Sequence, residues 1–153
     1  MNPILHQKRQ VVAYVPYRIM QGGMLEYFLQ RRDEKAQYHS GIYSLFGGGI
    51  ESNETLTEAL MREVHEELRY VPSNAHYLAL CSSGYGDFFT FIEEVDLEFE
   101  RNIDIHEGVG GVFLTYQAIC EANDISPIAR VATETAHWYL NKLQTNYKDT
   151  KYT

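Results

Sequence analysis

The chain has 153 residues, is 44% hydrophobic and 22% charged, and carries a formal net charge of -8. These values suit one soluble globular domain with a real core, and the acidic balance argues against a duplex nucleic-acid surface, which needs a basic patch. No apolar run approaches the roughly 18 residues of a membrane span, and the N-terminus lacks the basic and apolar regions of a signal peptide, so the expected location is the cytoplasm. Cys81 and Cys120 belong to no CxxC pair and are expected to be buried, reduced thiols.

Gln10 to Tyr17 predicts a strand, Met20 to Met24 a turn with two glycines, and Leu25 to Arg32 the partner strand of a hairpin. Asp33 to Ser40 is polar and reads as loop. Ile42 to Phe46 is a short strand running into Gly47, Gly48 and Gly49. Thr55 then offers an N-cap, and Glu58 three residues on completes a capping box. Periodic apolar residues follow until Pro72 stops the helix. Tyr77 to Cys81 and Phe88 to Ile92 predict strands around the turn at Gly84 to Asp87. Val109 to Tyr116 is a further strand, weakened by Gly110 and Gly111. Pro127 to Leu143 predicts a second long helix with Ser126 as N-cap. Ile128, Val131, Ala132, Ala136, Trp138, Tyr139 and Leu143 are its candidates for packing, and the tail after Tyr147 is expected to fray. Strands interleaved with two helices indicate an α/β domain with a mixed sheet.

The first helix carries Glu63, Glu66 and Glu67 near its C-terminus, where the helix dipole disfavours negative charge. Glu63 and Glu67 are also a like-charge i,i+4 pair. At about 100° per residue, Ala59, Leu60, Val64 and Leu68 form the core-facing stripe with Leu56. Glu63 and Glu67 fall inside that arc, and Glu66 lies on its border. Burying uncompensated carboxylates costs several kcal/mol, so protonation, an arginine or a metal must compensate. Oxygen-rich clusters suit Mg²⁺ or Mn²⁺; an acidic face paired with Lys or Arg from elsewhere is the alternative.

Other templates fail. His65-Glu66-Glu67-Leu68 ends in Arg69 where HExxH needs histidine. Glu134 and His137 form a single Glu-x-x-His, whereas a di-iron site needs two. His6, His39 and His76 show no ligand spacing. No P-loop and no GxSxG elbow occurs.

Gly48, five residues, Glu54, seven residues, Arg62-Glu63-Val64, one residue, Glu66-Glu67 resembles the Nudix box over residues 48 to 70. Arg69 replaces the motif's last glycine, Tyr70 stands where an aliphatic residue is usual, and Phe46 occupies a common proline position. The arginine is expected to alter the geometry of the helix end, with Pro72 taking over termination. The resemblance implies an α/β/α sandwich around a mixed sheet with a loop-helix-loop metal site. It further implies Mg²⁺- or Mn²⁺-dependent hydrolysis of a nucleoside diphosphate linked to another group, X. By motif position, Glu66 and Glu67 would be the main metal ligands, assisted by the Gly47 carbonyl. Glu63 would be a ligand or the general base, Arg62 would orient it, and Glu54 would support the loop or bind a further metal through water.

By rough position alone, Glu107 is a further catalytic candidate. Arg31 and Arg32 are candidates for substrate phosphate. Tyr43, Tyr85, Phe88 and Phe89 could stack on a base, although each residue type is more often core. Nucleoside tri- or diphosphates and nucleotide sugars are favoured as substrates over ADP-ribose and dinucleoside polyphosphates. Two other readings remain open, a Nudix-fold nucleotide sensor without turnover and an isoprenoid diphosphate isomerase. A homodimer is a family-level expectation.

Overall fold

Val11 to Tyr17 is apolar without alternation, the pattern of a strand covered on both faces. The computed structural model, which describes residues 8–35 and 41–150, puts that strand at the centre of the molecule. His6, His39 and most of the loop expected at Asp33 to Ser40 lie outside the described residues. β1 (Arg9–Ile19) pairs antiparallel with β2 (Leu25–Arg31) and β4 (Phe46–Gly49), and parallel with β6 (Gly86–Glu94). β3 (Tyr43–Ser44) and β7 (Gly110–Thr115) flank β2, and β5 (His76–Ser82) closes the far edge against β6. The result is a seven-stranded mixed sheet.

Alternation along β1 divides the core in two. Ala13, Val15 and Tyr17 face α4 (Pro127–Thr150), and Val12 and Tyr14 face α1 (Leu56–Leu68). The architecture is thus the expected α/β/α sandwich. Leu60, Val64 and Leu68 of α1 are fully buried, each worth roughly 1.5–3 kcal/mol relative to exposure.

Several elements depart from their predicted form. The glycine run, expected to follow the strand, is itself strand, since Gly47, Gly48 and Gly49 pair with Ala13, Val12 and Val11. Gly111 does not weaken β7; a Cβ there would stand 2.5 Å from the Phe28 ring, which stacks on Phe46. Tyr116 opens a short helix, α3 (Tyr116–Glu121), capped by the Thr115 hydroxyl. Another, α2 (Phe99–Asn102), buries Phe99 against the α1 side. Residues after Tyr147 continue α4 to Thr150. The buried stripe of α4 is Ile128, Ala129, Ala132, Ala136 and Leu140, whose small members admit the helix close to the sheet. Trp138, Val131, Tyr139 and Leu143 lie largely outside it, and Lys142 lies over exposed Trp138 with its Nζ 4.1 Å from the ring centroid. Cys81 is buried as expected, but Cys120 is exposed on α3; both are free.

The end of α1 also differs. The helix stops at Leu68, well before Pro72, because Arg69 itself takes the left-handed conformation at φ 49° and ψ 35°. Arginine thus performs the turn that glycine performs at lower cost. Left-handed backbone costs a non-glycine residue about 1–2 kcal/mol, part of which glycine loses again as unfolded-state entropy. Arg69→Gly is therefore expected to raise stability by about 0.5–1 kcal/mol, read as a higher urea midpoint at unchanged slope. No rise would mean that the exposed Arg69 side chain contributes as much as its backbone costs.

Candidate active site

The capping box is present as predicted. Thr55 Oγ1 accepts from the Glu58 N–H, and the Glu58 carboxylate accepts from the Thr55 N–H. It fixes the start of α1, and the helix periodicity then brings Glu63 and Glu67 back over β4. Gly47 and Gly48 make that approach feasible. A Cβ on Gly47, at φ 131°, would collide with the Val12 carbonyl oxygen. A Cβ on Gly48 would stand 2.5 Å from the Glu63 carboxyl group.

The three helix carboxylates sit where the wheel put them. Glu67 is buried at 2% exposure, Glu63 is half-buried, and the Glu66 side chain is 57% exposed. Glu67 Oε2 accepts the Gly47 N–H at 3.1 Å. The amide of Gly47 thus meets the carboxylate. Glu67 Oε1 is buried with no partner. Burial, the charge and hydrogen-bonding reach of the Glu107 carboxyl, and Glu63 push the Glu67 carboxyl up to about 9, against the pull of the Gly47 amide; two carboxylates cannot satisfy each other without a shared proton, so Oε1 still lacks a donor. Burial likewise raises Glu63, and Arg62 partly offsets it.

A second buried carboxylate shows that this is not how the molecule treats structural acids. Glu93, at 1% exposure, accepts from the hydroxyls of Tyr14 at 3.1 Å and Tyr70 at 2.7 Å, and from the Asn74 N–H at 2.9 Å. Tyr70, the aliphatic-to-aromatic departure in the motif, is thereby explained: its hydroxyl supplies a donor that an aliphatic residue lacks.

Arg62 organises the front of the helix. Its Nε and Nη2 donate to Glu54 at 2.6 and 2.9 Å, its Nη1 to Glu63 at 2.7 Å, and its Nη2 to the Gly49 carbonyl at 3.0 Å. Glu66 stands 3.7 Å from Nη1. The guanidinium holds the Glu54 carboxyl near 2. Glu54 therefore serves as the anchor of the arginine.

Glu107 arrives from a different part of the chain. Its loop caps α1, with the Asp104 and His106 N–H groups donating to the Leu68 and Glu67 carbonyls at 2.9 and 2.7 Å. These carbonyls are among the orphans of any helix end. The loop is held from the other side by β2. Buried Gln30 donates to the Glu107 carbonyl at 3.0 Å, and the Val109 N–H to the Arg31 carbonyl at 3.0 Å. Gly108, at φ 75°, permits this close approach. Gln30 was not singled out by sequence reasoning; a glutamine directly after the apolar run Tyr27-Phe28-Leu29 was the available signal.

Arg31 and Arg32 part company. Arg32 Nη1 donates to Glu107 Oε1 at 3.1 Å and lines a cavity of about 270 Å³ beside Gly47. Arg31 turns away, onto Asp124 at 2.8 Å and over the Tyr43 ring. Phe88 and exposed Tyr85 also line the cavity, whereas Phe89 packs against the α1 side of the core. Sequence reasoning also missed Lys8 and Arg9 at the head of β1, which line the same cavity.

Among the described residues, no three His, Cys, Asp or Glu side chains already converge as a finished metal cage. The donor set nevertheless fits a divalent cation. It offers an orphaned buried carboxylate oxygen, a second half-buried carboxylate and a third that is free to swing in, all oxygen.

The NUDIX domain model matches residues 8–140 of the chain. The structure is similar to the NUDIX domain of Shewanella oneidensis NrtR complexed with ADP ribose (TM-score 0.69, 15% identity, covering 87% of this chain and 88% of that one). It is also similar to the MutT protein of Methanosarcina mazei (TM-score 0.64, 18% identity, 92% and 98% covered). Shewanella oneidensis NrtR complexed with a 27mer DNA matches at TM-score 0.69 and 15% identity, with 87% of this chain but only 62% of that one covered. No curated protein is a significant match. At these identities the structural likeness establishes the fold.

Proposed function

Because the chain belongs to the NUDIX family, we propose that it hydrolyses the diphosphate linkage of a nucleoside diphosphate joined to a group X, with Mg²⁺ or Mn²⁺. The observation that carries this reading is Glu67, a buried carboxylate with one oxygen unpartnered beside two further acids. Held by Glu63, Glu66 and Glu67, the cation would neutralise the crowded carboxylates, offset the charge of the diphosphate and acidify the attacking water. It also reconciles a net charge of -8 with a polyanionic substrate.

The chain's own residues have separable tasks. Arg62 orients Glu63 and opposes the upward push that burial gives its carboxyl. The Gly47 amide fixes one oxygen of Glu67, leaving the other for the ligand. Glu107 is the acid that does not belong to α1, and its half-exposed carboxylate is open to water. We assign it the proton of the attacking water. Glu107→Gln is then expected to lower kcat by about 10²–10⁴-fold and to leave Mn²⁺ affinity, measured calorimetrically, nearly unchanged. Loss of Mn²⁺ binding in that variant would make Glu107 a ligand instead.

The test of the reaction is a panel of nucleoside triphosphates, nucleotide sugars, ADP-ribose and dinucleoside polyphosphates, assayed for phosphate or nucleoside monophosphate release. ADP-ribose belongs on it because the NrtR domain is complexed with it. Metal-dependent turnover of at least one compound is expected. Binding of nucleotide without turnover across the panel would replace this reading with that of a sensor.

A further inference from the structure

Among the described residues, two side-chain atoms are buried without a hydrogen-bond partner, and both lie at this site. Glu67 Oε1 is an acceptor, and the cation accounts for it. Arg32 Nε is a donor, so a cation cannot satisfy it. An orphaned buried donor costs about 1–3 kcal/mol unless a ligand supplies the acceptor.

The surroundings of Arg32 say what that ligand is. Its Nη1 is tied to Glu107, and the side chain lines the cavity beside Gly47. Arg9 lines the same cavity, and its side chain has no ion pair or hydrogen bond among the described residues. Gly49 makes room for it, since a Cβ there would lie 3.5 Å from Arg9 Nη2. Lys8 is nearby and only loosely paired, 3.9 Å from Asp87. Three cationic side chains therefore gather on an acidic protein, one without a counter-charge among the described residues. Adjacent glycines of β4 open in turn towards Glu63 and towards Arg9, so the carboxylates and the cations border the same short strand. At about 270 Å³ the cavity is at the small end of ligand pockets, enough for one phosphate-bearing unit.

We propose that this cavity is an anion subsite formed by Arg9, Lys8 and Arg32, and that the group X carries a phosphate of its own, as in a nucleoside triphosphate, in preference to a neutral sugar. The substrate assignment rests on the hydrolase reading above; the subsite itself does not. Arginine forks favour phosphate oxygens over sugar hydroxyls through charge-assisted, bidentate hydrogen bonds.

Two measurements separate the claims. Inorganic pyrophosphate is titrated calorimetrically into the protein in EDTA, where no metal contributes. Binding is expected, weakened about tenfold in Arg9→Ala and unchanged in Arg101→Ala, whose guanidinium pairs only with exposed Glu98. Absence of binding, or equal binding in all three proteins, would overturn the subsite. Steady-state kinetics then compare a nucleoside triphosphate with a nucleotide hexose. Arg9→Ala is expected to raise KM about tenfold for the triphosphate alone, at unchanged kcat. Equal effects on both substrates would overturn the assignment of X. Pyrophosphate binding with no turnover across the whole panel would retain the subsite and reject the hydrolase reading.

Discussion

Glu67→Gln is expected to lower turnover by about 10²–10⁴-fold, the several kcal/mol that a catalytic metal supplies, and to make the metal-free protein more stable. The two effects have one cause. Glu67 is buried, has an orphaned oxygen and lies against Glu63 and Glu107, so its folded value stands near 9, far above the roughly 4.3 of an unfolded glutamate. Between those values the folded state holds a proton that the unfolded state has released. The Glu67 contribution to stability is therefore fully present below about pH 4.3 and is lost as pH rises towards 9. Glutamine is neutral throughout and can keep the Gly47 contact through its carbonyl. At pH 8 without metal it should add roughly 1–3 kcal/mol, the usual cost of an unsatisfied buried polar atom, and flatten the pH dependence of the urea midpoint. A variant that is inactive and also less stable across this range would mean that Glu67 is a structural acid.

Arg62→Ala is the second large effect. The guanidinium satisfies both oxygens of Glu54, one of Glu63 and the Gly49 carbonyl. Its loss leaves Glu54, half-buried Glu63 and the Gly49 carbonyl without their donor, which is expected to lower the urea midpoint. Glu63 then loses the charge that opposes its burial and protonates more readily, so activity should fall most steeply on the acid side. The Glu54 carboxyl, held near 2 in the fold, contributes stability that is present above its unfolded value and lost as pH falls from about 4.3 towards 2. That acid-side loss should shrink in Arg62→Ala. Arg62→Lys separates charge from geometry, because lysine cannot reproduce the fork across Glu54 and Glu63. It is expected to recover less than half of the lost stability and little of the rate. Full recovery with lysine would show that a positive charge suffices.

These predictions rest mostly on features visible in the sequence, because local rules govern α1. A cap, a 3.6-residue period and a glycine run specify the helix and what faces the sheet. The burial of Glu67 and partial burial of Glu63 follow from that periodicity, as does the exposure of Glu66. The departures were legible only as departures. Nothing local says that Arg69 will accept left-handed backbone, or that Tyr70 will reach Glu93, 23 residues away on β6. Glu107 depends on contacts remote in sequence, since its loop is placed by the carbonyls of Glu67 and Leu68 and by Gln30. Arg31 is the last residue of β2 and Arg32 lies just beyond it, so nothing in the sequence says which of the two turns to Glu107 and which to Asp124. The cations at the head of β1 were missed because they carry no motif; the parallel pairing of β1 with β6 brings Arg9 opposite Gly86, next to Tyr85. The second helix misled in part, because Trp138, Tyr139 and Leu143 are exposed, while the small residues Ala129, Ala132 and Ala136 are buried between Ile128 and Leu140.

The central claim is that the carboxylates of α1 form a divalent-metal site organised around Glu67. Titration of Mn²⁺ at pH 8, followed by the loss of the free-ion electron paramagnetic resonance signal, tests it most directly. Saturable binding in the wild type, weakened at least about tenfold in Glu67→Gln (about 1.4 kcal/mol), is the predicted result. Equal Mn²⁺ binding in the two proteins would contradict the account.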